Sequence, residues 1–372
     1  MAETPAAPAS DAQSLVTLAD RCVQCGLCLP HCPTYLLDRT EAESPRGRIA
    51  YIKATAGGLM APTETGDRHL DHCLGCLRCE AVCPAGVEYD ALLVGARSRQ
   101  FVRLMPPLKT RLTVGLLARP GLLHAFDPLA RAAGILPPLP ASIRPTASVT
   151  PIPSRSQVSL FVGCIAGTYE HDSRHALSRL LVAIGFSTHI PYGQTCCGTA
   201  AAHLGDRETA ADLAQRNRAA FGKDPVLSLA TGCQQILAQS LSGHAPVFDA
   251  IEFLEREGAE LKFRPANRKV ALHLPCTQRV AKSDAALRRL LARVPKLDLV
   301  ELPDTGCCGA AGLHMVNEPE RAAKLRAPLI DALQASGASE LLSANIGCRL
   351  HLANGTRIPV RHPLDFLAEH LA

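Results

Sequence analysis

The sequence has 372 residues, 47% of them hydrophobic and 20% charged, which is enough for more than one packed domain. Its net charge of +5 is not gathered in a long basic run, it contains no Trp, and only 4% of its residues are aromatic. These values exclude a basic surface with aromatic side chains for base stacking, which nucleic-acid binding requires.

Residues Met1–Asp20 lack the basic and apolar regions of a signal peptide. No stretch reaches the roughly 18 apolar residues that span a bilayer. We therefore expect a cytoplasmic chain, with peripheral association at the cytoplasmic face of the inner membrane arising only through partners. In a reducing compartment, 16 cysteines indicate metal binding or redox chemistry rather than disulfides.

The first eight cysteines form two runs of the pattern C-x2-C-x2-C-x3-C-P, which is the bacterial ferredoxin pattern. Three cysteines of a run bind one 4Fe-4S cluster, and the fourth binds the cluster of the other run. We expect two 4Fe-4S clusters with crossed ligand sets, namely Cys22, Cys25, Cys28 and Cys83 for one, and Cys73, Cys76, Cys79 and Cys32 for the other. A pair of zinc sites is the alternative. The pattern predicts a mainly α-helical ferredoxin-like domain over residues 12–100.

The segment between the two runs contains the sequence SPRGRI. Ser44 is suited to cap a helix whose first residue is Pro45. Arg46 and Arg48 are interpreted as solvated side chains or as cations near the clusters. The alternative is that they bind an anionic group or the carboxylates of a partner.

Residues 101–155 contain no cysteine and are rich in Pro and Arg. Apolar spacing over Leu108–Leu129 predicts short helices, and an extended linker follows from about Leu136. This segment is interpreted as a connector, with a partner-docking surface as the alternative.

An internal repeat begins near Val158. An apolar run ending on a cysteine, a Cys-Cys-Gly turn, a Gly-Cys pair and a closing apolar segment occur twice in the same order. The repeat predicts two homologous half-domains, at 156–262 and 267–372. Strands alternate with helices in each half, so we expect two tandem Rossmann-like, doubly wound parallel sheets and an α/β fold overall.

Each half contributes four cysteines, and the first of each set follows the first strand, where ligands of such sheets gather. The sets are Cys164, Cys196, Cys197 and Cys233, and Cys276, Cys307, Cys308 and Cys348. Four thiolates suit a further iron–sulfur cluster or a zinc ion, and buried reduced cysteines without metal are the alternative. His273, His314 and His351 lie nearby in sequence and are interpreted as structural. His273 and His351 are also the candidates for proton handling.

With these motifs in view, the chain resembles the iron–sulfur subunits of glycolate oxidase (glycolate dehydrogenase) over nearly its whole length. The resemblance rests on CVQCGLCLPHCPTY followed by SPRGRI, on HLDHCLGCLRCEAVCPAGVEY, on both Cys-Cys-Gly turns, and on SANIGC and PVRHPLDFL. The wider group includes iron–sulfur subunits of heterodisulfide reductase and anaerobic glycerol-3-phosphate dehydrogenase. In heterodisulfide reductases the repeat ends in CxxC, whereas here Cys233 and Cys348 each stand alone, which argues against a disulfide-cleaving cluster.

The resemblance implies an electron-transfer subunit of an oxidoreductase acting on a CH–OH group. An FAD-binding partner subunit would oxidise glycolate to glyoxylate, and this chain would relay the electrons toward quinone or another acceptor. No G-x-G-x-x-G follows a strand, so FAD is expected on the partner subunits only, and no catalytic residue is assigned here. The alternatives are a subunit of a lactate or glycerol-3-phosphate dehydrogenase, or a heterodisulfide-reductase-like catalytic subunit.

Overall fold

The computed structural model describes residues 12–123, 125 and 156–372. The predicted linker from about residue 136 lies outside the described residues. The N-terminal part is helical, as expected. Its α-helices are α1 (Ala12–Asp20), α2 (Pro33–Asp38), α3 (Pro45–Ala56), α4 (Glu64–Asp71), α5 (Arg78–Ala81) and α6 (Tyr89–Arg103).

Helix α3 begins where the sequence predicts. Ser44 caps it by accepting a hydrogen bond from the Gly47 N–H at 2.9 Å, and Pro45 occupies its first position. Ile49 and Ile52 lie on its buried side and pack into a core with Leu15 of α1. This core also includes residues of α4 and α6, so helices that flank both cysteine runs share one apolar interior.

The connector contains helix α7 (Leu108–Leu117), within the region where apolar spacing predicts helix. Val114 and Leu117 are buried, whereas Leu108 and Leu112 are largely exposed. The backbone after α7 contacts the first half-domain, because Thr195 Oγ1 donates a hydrogen bond to the Ala118 carbonyl at 3.2 Å.

Two four-stranded parallel sheets follow, and both have the same strand order. In chain order the strands are β1 (Ser156–Phe161), β2 (Phe186–His189), β3 (Val226–Ser228) and β4 (Val247–Asp249), then β5 (Arg268–Leu272), β6 (Leu297–Glu301), β7 (Glu340–Leu342) and β8 (Val360–Arg361). The first sheet is ordered β2-β1-β3-β4 and the second β6-β5-β7-β8. The order reverses between β1 and β3, and likewise between β5 and β7, which are the positions where doubly wound sheets bind ligands. Matching topology confirms the duplicated α/β fold.

Helices cover both sheets. They are α8 (Ile165–Tyr169), α9 (His171–Ala183), α10 (Thr199–Leu204), α11 (Arg207–Ala220), α12 (Thr231–Ser240) and α13 (Ala250–Glu257) in the first half, and α14 (Cys276–Val280), α15 (Asp284–Ala292), α16 (His314–Asn317), α17 (Pro319–Ser336), α18 (Ile346–Ala353) and α19 (Pro363–Glu369) in the second. Helix α9 packs on α19 of the other half. One continuous hydrophobic cluster includes Leu160 of β1 and Leu272 of β5, so the halves share a core.

Sequence reasoning indicated the central strands of each sheet but not the edge strands β2, β4, β6 and β8. Strands β2 and β6 carry exposed or partly exposed residues throughout. An edge strand does not need the continuous apolar run that marks a buried parallel strand. Within the described part of the chain, no helix combines the length and the apolar character needed to cross a bilayer.

Candidate functional site

The first ferredoxin-type quartet borders one cavity. Cys22, Cys25 and Cys28 lie on the loop that follows α1, and Cys83 follows α5. The four cysteines line the same cavity although Cys83 belongs to the second run. The structure brings together the residues that the crossed pattern predicts, and their role as ligands stays a prediction.

The second quartet borders a neighbouring cavity. Cys32, which directly precedes α2, lines it together with Cys73, Cys76 and Cys79. Cys79 and Tyr89 line both cavities, so the two cysteine groups are adjacent. Each run therefore supplies its fourth cysteine to the space formed by the other.

Three thiols of these groups need a compensating charge to ionise. Burial raises the pKa of Cys28, Cys76 and Cys79, since desolvation disfavours a thiolate. Iron is bound by the thiolate form, and its positive charge reverses the cost of burial. Four soft sulfur donors around each of two cavities fit a pair of iron–sulfur clusters.

Arg48 is buried and lines the cavity of the second quartet, which agrees with its interpretation as a cation near the clusters; it is neither a solvated side chain nor a contact for a partner, which corrects those two interpretations. It is 1% exposed and its Nη2 lies 2.6 Å from Glu43 Oε2. Its Nη1 donates to Thr34 Oγ1 at 3.0 Å, and its Nε donates to the His69 carbonyl at 2.7 Å. Arg48 thus joins α3 to the segments that follow Cys32 and precede Cys73. Arg46 instead pairs with Glu41 within the chain, with Nε 2.7 Å from Oε1.

Glu43 is a buried carboxylate that sequence reasoning missed. Its Oε1 lies 2.6 Å from Nδ1 of both His69 and His72, and its Oε2 lies 3.0 Å from Arg321 Nη2 of α17. Burial acts to raise its pKa, but the hydrogen bonds from both histidines and the charge of Arg48 outweigh burial and lower the pKa to about 2. Glu43 therefore remains ionised and links the ferredoxin-like part to the second half-domain.

The four cysteines of the first half-domain form one contact group. Cys164 Sγ lies 3.3 Å from Cys196 Sγ, and hydrogen bonds connect Cys196 to Cys197 and Cys197 to Cys233. These bonds hold the pKa of Cys197 well below that of a free thiol and raise the pKa of Cys196 and Cys233. The group lies beyond the carboxyl ends of β1 and β3, where the strand order reverses.

The cysteines of the second half-domain form an equivalent group. Hydrogen bonds connect Cys276 to Cys307, Cys307 to Cys308, and Cys308 to Cys348. Asn345 Nδ2 lies 3.4 Å from Cys348 Sγ. The structure brings each predicted set of four together, which suits a metal or cluster chemically, and the occupant of each set stays a prediction.

Glycine permits both Cys-Cys turns. Gly198 and Gly309 each have φ of +93°, a region that strongly favours glycine. A Cβ at Gly309 would lie 2.7 Å from the Ala322 carbonyl oxygen. The glycine after each cysteine pair lets the chain reverse so that both sulfurs face the group.

The second half-domain's cysteine group packs against the second ferredoxin-type quartet. Cys276 and Cys307 belong to the same apolar cluster as Cys76 and Leu74. Beside this cluster, Arg78 Nη2 lies 2.9 Å from an Asp304 carboxylate oxygen. Nothing in the cysteine spacing indicated this contact, because the two motifs are far apart in sequence.

The two half-domains also meet beside their cysteine groups. Cys233 packs against Ile346 and Leu350 of α18. A buried ion pair joins Glu170 of the first half to Arg349 of the second. Consequently the cysteine group of the first half lies at the interface with the second.

The three histidines are buried and neutral at pH 7. Burial lowers the pKa of His273 and His314 to about 4 and also lowers the pKa of His351. His273 Nδ1 lies 3.0 Å from Ser343 Oγ, and His351 Nε2 lies 3.0 Å from the Ala322 carbonyl. These contacts support the structural interpretation of His273 and His351.

Two protein families match the chain. The family described as "4Fe-4S dicluster domain" matches residues 18–87, and the family described as "Cysteine-rich domain" matches residues 158–238 and 270–353. The matches cover the two ferredoxin-type runs and the two Cys-Cys-Gly repeats. Iron–sulfur clusters are therefore cofactors of this chain.

Relatives of similar length match almost the whole chain. The glycolate oxidase iron–sulfur subunit of Escherichia coli is 32% identical, over 94% of this chain and 93% of the relative. A probable glycolate oxidase iron–sulfur subunit of Bacillus subtilis is 30% identical, over 90% and 88%. One of the subunits of dihydromethanophenazine:CoB–CoM heterodisulfide reductase from Methanosarcina barkeri is 26% identical over 98% of each chain.

Among solved structures, a hypothetical protein from Helicobacter pylori has a TM-score of 0.52 at 12% identity, covering 87% of this chain and 68% of that one, and it supports the fold alone. The two glycolate oxidase relatives, the family matches and the crossed cysteine groups agree with one another. The chain belongs to the family of glycolate oxidase iron–sulfur subunits.

Proposed function

We propose that this chain relays electrons from an FAD-binding partner subunit, which oxidises glycolate to glyoxylate, toward a quinone or another acceptor. The observation that carries the proposal is the adjacency of the cysteine groups. Two ferredoxin-type quartets border neighbouring cavities, and the second half-domain's group packs against one of them. Redox centres held in such a series suit electron transfer through the chain.

The proposed ligands of the first cluster are Cys22, Cys25, Cys28 and Cys83, and those of the second are Cys73, Cys76, Cys79 and Cys32. When bound, a 4Fe-4S cluster supplies reversible electron transfer. The chain itself supplies the thiolates and the buried surroundings. The Arg48–Glu43 pair keeps the segments next to Cys32 and Cys73 in place.

The cysteine groups of the half-domains are proposed to bind a further cluster or zinc. Contact between Cys76 and the second group favours a redox-active occupant there. Zinc has no redox chemistry and would leave that group structural. Iron, sulfide and zinc analysis of the purified chain separates the alternatives. About eight irons would indicate the ferredoxin-type clusters only, and about twelve or more would indicate further clusters.

The FAD-binding partner is proposed to dock at the loop that carries Cys25. Cys25 is exposed, and the neighbouring Val23 and Leu27 are 67% and 55% exposed. Exposed apolar side chains beside a redox centre suit a protein interface. The chain is proposed to be cytoplasmic, and this partner would bring it into peripheral association with the inner membrane.

Co-purification with FAD-binding subunits tests the relay. Glycolate added to the complex should bleach the iron–sulfur absorbance of this chain, and it should do so faster than lactate or glycerol 3-phosphate. Preferential reduction by one of the other substrates would indicate that alternative partner. A chain that purifies alone and is reduced through no flavoprotein would contradict the proposal.

A further inference from the structure

The end of helix α6 and the start of α7 expose four large apolar side chains. Val102 is 87% exposed, Met105 76%, Leu108 67% and Leu112 64%. Pro106 and Pro107 stand between the two helices, because proline has no N–H with which to continue α6. We call the area formed by the four apolar side chains and the cations around them the α6–α7 surface.

Helix α7 has a buried side and a solvent side. Val114 and Leu117 are buried against the rest of the chain, whereas Leu108 and Leu112 lie one turn apart on the opposite side. The loop before the helix continues this apolar stripe, because Met105 Sδ lies 3.0 Å from Arg111 Nη1 of α7. The exposed leucines of α7 and the exposed methionine of the loop therefore form one surface.

Cations border this apolar stripe. At about 100° per residue, Lys109 lies on one side of the stripe and Arg111 on the other. The sequence from residue 91 to 126 contains six Lys or Arg residues and no Asp or Glu. Arg103 pairs with Asp67, but Lys109 and Arg111 have no carboxylate partner within the described part of the chain.

The α6–α7 surface remains cationic when the carboxylates of neighbouring segments are included. Asp71 and Glu318 line a cavity beside Met105, and Asp67 is paired with Arg103. Against these three carboxylates stand five exposed cations, which are Arg99, Arg103, Lys109, Arg111 and Arg119. The surface is therefore complementary in charge to an anionic one.

The form of the surface favours a lipid bilayer over a protein partner. Apolar side chains that are about two-thirds or more exposed project from the protein and can enter the headgroup region of a bilayer. Cations beside them gain from the negative potential of a leaflet that contains anionic lipids. The core of a protein interface is instead depleted of charged residues, and of Lys in particular.

We propose that the α6–α7 surface binds directly to a bilayer containing anionic lipids. Met105, Leu108 and Leu112 enter the headgroup region, and Lys109 and Arg111 lie beside the lipid phosphates. This contact belongs to the chain itself and needs no FAD-binding partner, so it goes beyond the proposed relay and beyond association through partners alone. A search for long apolar runs does not detect it, because the exposed leucines of α7 recur at helical spacing.

Sedimentation of the cluster-containing chain with lipid vesicles measures this binding. Vesicles of phosphatidylcholine and phosphatidylglycerol in equal parts should bind the chain, vesicles of phosphatidylcholine alone should bind it weakly, and added salt should reduce the binding. Leu108→Glu and Leu112→Glu should each weaken binding to the anionic vesicles about tenfold or more, because each variant loses an inserted leucine. Lys109→Gln and Arg111→Gln should each weaken it about fivefold.

Leu27→Glu and Lys262→Gln are the matched controls, since both positions are exposed and lie outside the α6–α7 surface. Both controls should bind the anionic vesicles like the unaltered chain. The iron content of every variant should be unchanged, because each altered side chain is exposed and none is a cysteine.

Absence of binding to the anionic vesicles, or equal binding by the unaltered chain and both glutamate variants of α7, would overturn the proposal. So would a Leu108→Glu variant that binds vesicles normally but no longer co-purifies with FAD-binding subunits, because the surface would then be a protein interface. The relay is tested separately, since glycolate-dependent reduction is measured without vesicles. Its failure would leave the lipid binding standing.

Discussion

Arg48 Nη2 lies 2.6 Å from Glu43 Oε2, and both side chains are almost fully buried between the two cysteine runs. A buried ion pair of this kind holds its two segments in contact, because either charge left buried without its partner would be strongly destabilising. Arg48 also donates hydrogen bonds to the hydroxyl of Thr34, which follows Cys32, and to the carbonyl of His69, which precedes Cys73. Folding of the ferredoxin-like part is thus coupled to a charge pair as well as to its clusters.

Replacing Arg48 should strongly destabilise this part of the chain. Arg48→Met leaves Glu43 buried without its closest guanidinium and should cost on the order of 3–5 kcal/mol. Arg46→Met, in the same helix turn, removes a partly exposed pair with Glu41 and a hydrogen bond to the Gln24 carbonyl, and should destabilise the chain far less. Thermal unfolding and iron content should fall for the first variant only. Equal stability of the two variants would show that the Arg48 pair contributes little.

Glu43 should make the stability sensitive to acid. Its folded pKa of about 2 lies below the value of about 4.5 for a free glutamate, so ionisation stabilises the fold above pH 4.5. This contribution should decrease as the pH falls from about 4.5 to about 2. The difference in unfolding free energy between the unaltered chain and Glu43→Gln should shrink over that range. A difference that is constant with pH would contradict the assignment.

Loss of a ferredoxin-type ligand should be more damaging than loss of a half-domain cysteine. Cys25→Ser should remove about four irons per chain and stop electron transfer without preventing assembly with the partner. Cys197→Ser should have a milder effect if its group is structural. Iron content, partner co-purification and glycolate-dependent reduction measure the three properties. An equally complete loss of reduction in Cys197→Ser would place a redox centre in the half-domain.

Charge on the Cys25 loop should hinder docking of the partner. Leu27→Glu places a carboxylate at a 55% exposed apolar position and should slow glycolate-dependent reduction several-fold. The iron content should be unchanged, because Leu27 is not one of the cysteines that bind the clusters. Leu59→Glu, at another exposed leucine, is the control. A normal reduction rate in Leu27→Glu would place the docking surface elsewhere.

Asp249 should oppose stability at neutral pH. Burial raises its pKa to about 7, so the folded chain retains a proton that the unfolded chain releases above about pH 4. Stability should therefore fall as the pH rises from about 4 to 7. Asp249→Asn should remove this fall and raise the unfolding temperature at pH 8, since asparagine also caps helix α13, whose Ile251 N–H bonds to Asp249 at 2.8 Å. A lower unfolding temperature for the variant at pH 8 would contradict this account.

Local spacing in the sequence determined the organisation of the protein. The C-x2-C-x2-C-x3-C-P runs predicted the grouping of Cys83 with Cys22, and the repeat predicted paired parallel sheets. Ser44 marked the start of α3 correctly. These features depend on short-range backbone geometry and on apolar periodicity, so nearby residues suffice to recognise them.

Only the tertiary structure decided what lies between these units. The sequence indicates that Arg48 is buried, since Arg48 lies on the same face of helix α3 as Pro45 and Ile52. That helical spacing does not identify its partner, Glu43. Contacts between distant segments, such as that between Cys76 and Cys307, had no local signal. They arise from packing between segments far apart in sequence, where shape and charge complementarity rather than spacing select the neighbours.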